Sequence, residues 1–172
     1  SATVEYWKAR LNPETMNIGI VWGGNPDQAE NQHRSCSLKE LMPLTEIPGT
    51  TFYSLQKGEP KDQLLEMATS PNKIVDYTDE LEDFADTAAL VKALDLVITV
   101  DTSVAHLAGA LNHPVWTLLW FAHCWRYLQE REDSPWYPSM RLFRQPNIGD
   151  WSSAVEQVAI ALTEKVKEKT SN

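Results

Sequence analysis

The stretch Asp95-Leu-Val-Ile-Thr-Val-Asp-Thr-Ser-Val-Ala-His-Leu-Ala-Gly-Ala-Leu111 reads as an apolar strand, a three-residue polar break and a helix. A short, branched, almost wholly apolar run is the pattern of a strand buried on both faces, as in a helix-covered parallel sheet. In an open α/β sheet the carboxyl ends of the strands form the ligand crevice. The helix that follows directs its first unpaired N–H groups there. The break at Asp101, Thr102 and Ser103 is therefore where a ligand is expected.

The same strand–break–helix grammar extends in both directions. Upstream, Asn17-Ile-Gly-Ile-Val-Trp22 is a buried strand that stops at Gly23-Gly24-Asn25-Pro26. A long polar connection, Asp27 to Arg34, leads to Ser37 and Glu40, spaced as a reciprocal helix cap, with Leu38, Leu41, Met42 and Leu44 as the apolar side. Thr50 to Leu55 alternates as a strand, Pro60 opens a short helix, and Ile74-Val75 is a brief third strand. Phe84, Ala88, Leu90, Val91 and Leu94 form a helical stripe ahead of the central strand. Downstream, Val115 to Trp120 and Arg141 to Gln145 read as strands. A closing helix, Ser153 to Lys169, carries Ser153 and Glu156 at capping-box spacing and Val155, Val158, Ala159, Leu162 and Val166 on one face. Alternating strands and helices predict an α/β fold, a doubly wound, mostly parallel Rossmann-like sheet; strand order is not encoded in periodicity. Residues 1–16 read as a linker or cap segment and 17–172 as a single domain. The opening Ser-Ala-Thr-Val-Glu-Tyr-Trp looks as much like a cut into a longer chain as a natural start.

Composition narrows the partners. The 172 residues suffice for a real core. Acidic residues outnumber basic ones 24 to 15, a net charge of −9, so the field repels a phosphate backbone and a nucleic-acid partner is not expected. No apolar stretch is long enough for a transmembrane segment, and the start lacks a secretory signal. Cys36 and Cys124 are too few for a disulfide scaffold and lack zinc spacing; a cytoplasmic, reducing setting fits, although counting leaves one bond open.

Helical phase sorts the candidate side chains. With Val104 at zero and about 100° per residue, Leu107, Ala108 and Leu111 share its side as the buried stripe, while His106 falls opposite with Thr102 and Gly109. A phosphate docked on the helix start would meet N–H groups and the Thr102 and Ser103 hydroxyls, and His106 could offer a ring N–H. Capping by Asp101 or Thr102 is the alternative for the break, and a surface or interface role the alternative for His106. Asp101 beside a phosphate would be unfavourable, which assigns it a structural or sugar-facing role. Arg34 and Lys57, with neighbouring Gln56, lie at the same expected edge and would offset diphosphate charge, with a solvated side chain the alternative for Lys57. Gly23-Gly24 lacks the spacing of a phosphate loop and reads as a turn. The acidic run Asp79, Glu80, Glu82, Asp83 and Asp86 reads as a solvated face with helix capping, not a metal site. His123 and Cys124 read as structural or surface residues, and no hydrolase elbow is present.

Taken together, Ile18-Gly-Ile-Val-Trp-Gly-Gly-Asn-Pro26, Arg34-Ser35, Phe52-Tyr-Ser-Leu-Gln-Lys-Gly58, Asp83-Phe-Ala-Asp-Thr-Ala-Ala-Leu90, Asp101-Thr-Ser-Val-Ala-His-Leu-Ala-Gly-Ala110 and Arg131-Glu-Asp-Ser-Pro-Trp-Tyr-Pro138 resemble the carboxyl-terminal half of heptosyltransferase-like (family 9-type) glycosyltransferases with the GT-B fold. The likeness is to the version found after tetratricopeptide repeats in bacterial proteins. The resemblance implies a nucleoside diphosphate sugar as donor substrate with no further cofactor, and an N-terminal domain that binds the acceptor and carries the general base. Asp101, Thr102, Ser103 and His106 match the family's Asp-Thr-Gly-x-x-His motif, with Ser103 in place of the usual glycine. No catalytic residue is assigned within these residues, so the isolated domain is expected to be inactive. A non-catalytic binding or scaffold module that keeps the fold is the alternative.

Overall fold

The structure, a computed structural model, describes residues 3–27, 31–67, 74–121 and 132–170. His123, Cys124 and Trp125 lie outside them. The first element is the short helix α1 (Val4–Lys8), followed by strand β1 (Met16–Val21). Helices α2 (Asn31–Arg34) and α3 (Leu38–Leu41) lead to β2 (Thr50–Ser54). Helix α4 (Gln63–Glu66) precedes the two-residue β3 (Val75–Asp76). Then come α5 (Phe84–Ala93), β4 (Leu96–Val100), α6 (Ser103–Ala110), β5 (Val115–Leu119), β6 (Met140–Arg144) and the long α7 (Trp151–Thr170).

The strands form one six-stranded sheet in the order β3-β2-β1-β4-β5-β6, with every neighbouring pair parallel. The order runs outward from β1 in one direction and from β4 in the other, so the winding reverses between them. Side chains alternate across the pleat into two cores. Ile18, Ile20, Leu96, Ile98 and Val100 meet α3 and α7 on one face, and Val21 and Val97 meet α1, α5 and α6 on the other. Both faces being covered is why these strands read as unbroken apolar runs.

Local signals explain most element ends. Ser37 and Glu40 complete both halves of the capping box. Leu38, Leu41 and Leu44 are wholly buried, each burial contributing about 1.5–3 kcal/mol. With Pro43 in its first turn, the segment Met42–Glu46 continues as a 3-10 turn, shorter than the continuous helix expected. At the other end of the chain, the Ser153–Glu156 box is replaced by an earlier cap. Asp150 accepts from the Ser153 N–H (3.0 Å) and hydroxyl (2.7 Å), and α7 begins at Trp151. These bonds hold the Asp150 carboxyl below its ordinary value.

Two stripes differ from the periodic reading. Phe84 stands 64% exposed at the start of α5, while Leu90, Val91 and Leu94 are buried. On α6 the innermost residues are Ala105, Ala108 and Gly109, with Val104, Leu107 and Leu111 only partly covered. Small residues let α6 approach its neighbours closely, so side-chain size, not hydrophobicity, decides its inner face. The stretch read as linker or cap carries α1, whose Trp7 is wholly buried against Tyr77. Arg10 lies over the Tyr77 ring and pairs with Glu80 at 2.5 Å. Buried Cys36 donates towards Glu40; burial and that carboxylate push its thiol far up. No helix among the described residues is long and apolar enough to cross a membrane.

Candidate functional site

The reversal between β1 and β4 leaves a crevice outside their carboxyl ends, the place where open α/β sheets bind ligands. A cleft of about 720 Å³ lies there, walled by the Gly23-Gly24 loop, Arg34, Gln56-Lys57-Gly58, Phe84, Asp101-Thr102-Ser103 and His106. The candidate site residues, at 34, 56–57 and 101–106, thus converge on one cavity from three segments.

The loop after β1 is shaped by close approach. A Cβ at Gly23 would sit 2.8 Å from the Pro60 ring, and one at Gly24 would sit 2.5 Å from Asn31 Oδ1. Gln56, buried at the end of β2, accepts from the Trp22 N–H (3.1 Å) and Gly23 N–H (2.8 Å) through Oε1. Its Nε2 donates to the Gly23 and Lys57 carbonyls. Gln56 therefore lines the cleft while its amide binds one wall to another. The Gly24 N–H donates to Ser35 Oγ at 3.0 Å, tying the loop to α2.

The break after β4 forms the opposite wall. Thr102 is extended and precedes α6 without a side-chain cap bond. The Thr99 hydroxyl donates to the Val100 carbonyl, so the 2.9 Å contact between Thr99 and Thr102 is a bond donated by Thr102. That hydroxyl points into the protein, unlike the ligand-facing donor expected from the sequence. Ser103 is exposed on the cleft wall. The helix start consequently offers backbone N–H groups and the Ser103 hydroxyl, with the helix dipole favouring an anion.

Charge is arranged around Asp101. Its buried carboxylate lies 3.8 Å from Arg34 Nη1 and 3.7 Å from His106 Nε2. It faces the Arg34 guanidinium and the His106 imidazole. Nδ1 of His106 is 3.2 Å from the Tyr137 hydroxyl. Lys57 Nζ donates to the Leu81 carbonyl, reaching across one side of the cleft. The acidic run is engaged in ion pairs and a cap: Asp79 pairs with Lys61, Glu80 with Arg10, and Asp83 caps α5. Among the described residues no three carboxylate, histidine or cysteine groups converge as metal ligands would.

Tyr137 and Phe84 were not singled out as site residues from the sequence. A glycine inside a helix costs about 1 kcal/mol against alanine, and Gly109 was the available signal for Tyr137: a Cβ there would meet the Tyr137 ring at 2.5 Å.

An all-parallel, doubly wound sheet with a cleft at its winding reversal defines an α/β domain of the kind that forms one half of GT-B enzymes. Residues 80–123, which contain the break and α6, match the profile of Glycosyltransferase family 9 (heptosyltransferase). The chain is 32% identical over 170 residues to Protein FlbA of Caulobacter vibrioides, a match that covers 94% of this chain and 28% of that protein. Among solved structures it is similar to E. coli ADP-heptose LPS heptosyltransferase II, with TM-score 0.60, 18% identity, and coverage of 94% of this chain and 52% of that one. A glycosyl transferase family 9 structure from Veillonella parvula gives TM-score 0.60 at 15% identity, covering 95% and 49%. E. coli heptosyltransferase WaaC with ADP gives TM-score 0.54 at 15% identity, covering 96% and 48%. The chain spans about half the length of these structures. Its fold is the α/β fold of about half of each of these structures, with heptosyltransferases as structural neighbours.

Proposed function

We propose that this chain is the donor-binding half of a glycosyltransferase that uses a nucleoside diphosphate sugar, and that it turns over nothing without an N-terminal acceptor-binding domain. The observation that carries the reading is the uncapped start of α6 facing the Gly23-Gly24 loop across a cleft that also holds Arg34 and Lys57. The diphosphate sits on the N–H groups of α6, and its growing negative charge as the sugar leaves is stabilised by those dipoles and the nearby cations. His106 supplies a ring N–H from the same wall. Binding the leaving group is this domain's task, while activation of the acceptor belongs to the partner domain. In a longer bacterial chain, that domain and tetratricopeptide repeats would be the remaining parts. The setting is cytoplasmic, where nucleotide sugars are available.

One structural neighbour is a heptosyltransferase with ADP, so ADP is the first probe, with UDP and GDP beside it. Titrated into the labelled domain, ADP is expected to shift the amides of Gly23, Gly24 and Ser103 to His106. Ser103→Pro removes one N–H at a helix position where proline is tolerated, and the extended backbone of Thr102 suits a following proline. The variant should fold normally and bind about three- to tenfold more weakly, the loss of one charge-assisted hydrogen bond. No shift at millimolar concentration of any of the three diphosphates would overturn the reading. Binding without transfer, once the domain is joined to an acceptor half, would point instead to a module that keeps the fold for scaffolding.

A further inference from the structure

We propose that Tyr137 is a positioning residue that fixes the proton of His106 on Nε2, the nitrogen directed to the Asp101 side of the cleft. The role in binding rests on the donor-site reading above; the proton assignment does not.

The geometry begins with Gly109. Only a residue without Cβ lets the Tyr137 ring lie against α6, since a Cβ there would be 2.5 to 2.9 Å from three ring atoms. One turn back along the helix stands His106, at the i−3 position on a neighbouring face. The tyrosine that covers Gly109 therefore brings its hydroxyl to Nδ1 of His106 at 3.2 Å, the ring planes inclined by 59°. The Tyr137 carbonyl accepts from the Met140 N–H at 3.0 Å, a turn that anchors the tyrosine at the start of β6.

The opposite edge of the imidazole sets the direction of the bond. Nε2 lies 3.7 Å from Asp101 Oδ1, and a carboxylate favours a proton on the nitrogen that faces it. Nδ1 of the neutral ring is then the acceptor, and the Tyr137 hydroxyl donates to it. Arg34 Nη1 stands 3.8 Å from the other oxygen of Asp101. The chain Tyr137, His106, Asp101, Arg34 thus places a fixed N–H donor on the wall that also carries the start of α6. Without the hydroxyl the ring keeps Asp101 beside Nε2 but loses the hydrogen bond that holds Nδ1 as an acceptor.

Nitrogen-15 shifts of the His106 ring, recorded near pH 8 where an ordinary histidine is neutral, test the assignment in the free domain. Wild type should show a protonated Nε2 and a hydrogen-bonded, unprotonated Nδ1. Tyr137→Phe keeps the ring on Gly109 and should leave the amide spectrum folded. In this variant the Nδ1 signal should move towards that of an unbonded nitrogen, and ADP affinity should fall roughly fivefold, as for one lost hydrogen bond. A wild-type proton on Nδ1, or an Nδ1 signal unmoved in Tyr137→Phe, overturns the proton assignment. A moved signal with unchanged ADP affinity overturns the role in binding. Failure of the wild type to bind ADP, UDP or GDP would instead count against the donor site, while the ring shifts still decide the assignment.

Discussion

Gln56 uses its acceptor oxygen and one amide donation on the backbone of Trp22 and Gly23 and the other donation on its neighbour Lys57, and this is a structural task in a position that resembles a ligand contact. A buried N–H left without a partner costs about 1–3 kcal/mol. Gln56→Leu strands two, on Trp22 and Gly23, so it should lower stability by about 2–4 kcal/mol in urea unfolding and widen the cleft mouth. Asp101 is a second case. Its sequence neighbourhood leaves it between a cap and a sugar contact, whereas the fold sets it between Arg34 and His106. Which polar residues lie along the strand ends was legible in the sequence. Where each polar atom points was not, because that depends on partners 30 to 70 residues away, such as Gln56 for Trp22 (34 apart) and Arg10 for Glu80 (70 apart).

At the scale of elements, strand and helix positions followed from period and punctuation, since buried strands, prolines and caps act locally. Misreadings came where a non-local contact outweighed the local signal. Helical phase assigns the inner face of α6 to Val104, Leu107, Ala108 and Leu111; Ala108 is buried as expected, but its companions on that face are the small residues Ala105 and Gly109, the latter packed against Tyr137. Gly109→Ala measures that demand. Helix propensity favours alanine by about 1 kcal/mol, while displacing the ring costs about 1–3 kcal/mol, so the variant should be neutral to mildly destabilised and His106 should lose its hydroxyl partner. The cap of α7 offers a pH test. The Asp150 carboxyl is held below its ordinary value by the Ser153 N–H and hydroxyl, so its contribution is present above the unfolded value of 3.8 and is lost as pH falls through the lower folded value. Asparagine caps equally well but does not titrate. Asp150→Asn should match wild type at neutral pH and show a shallower loss of stability below about pH 4 in urea unfolding.

Over the whole molecule, strand order was the part hidden from the sequence, because neighbours in a sheet are chosen by packing on both faces at once. The order places the chain's first helix in the same core as α5 and α6. Trp7→Ala should therefore cost about 3–5 kcal/mol, the range for emptying a large buried aromatic site, with thermal unfolding as the measurement. The placement of β1 and β4 at the middle of the sheet has another consequence, expressed in time instead of energy. Amides of Ile18 to Ile20 and Val97 to Thr99 are paired on interior strands, and such groups exchange with deuterium only when the entire domain opens. Loop amides at Gly24, after β1, and Lys57, after β2, exchange through small local openings. A ligand in the cleft would leave its own clearest deuterium record on the loops, against a floor whose clock is set by global unfolding alone.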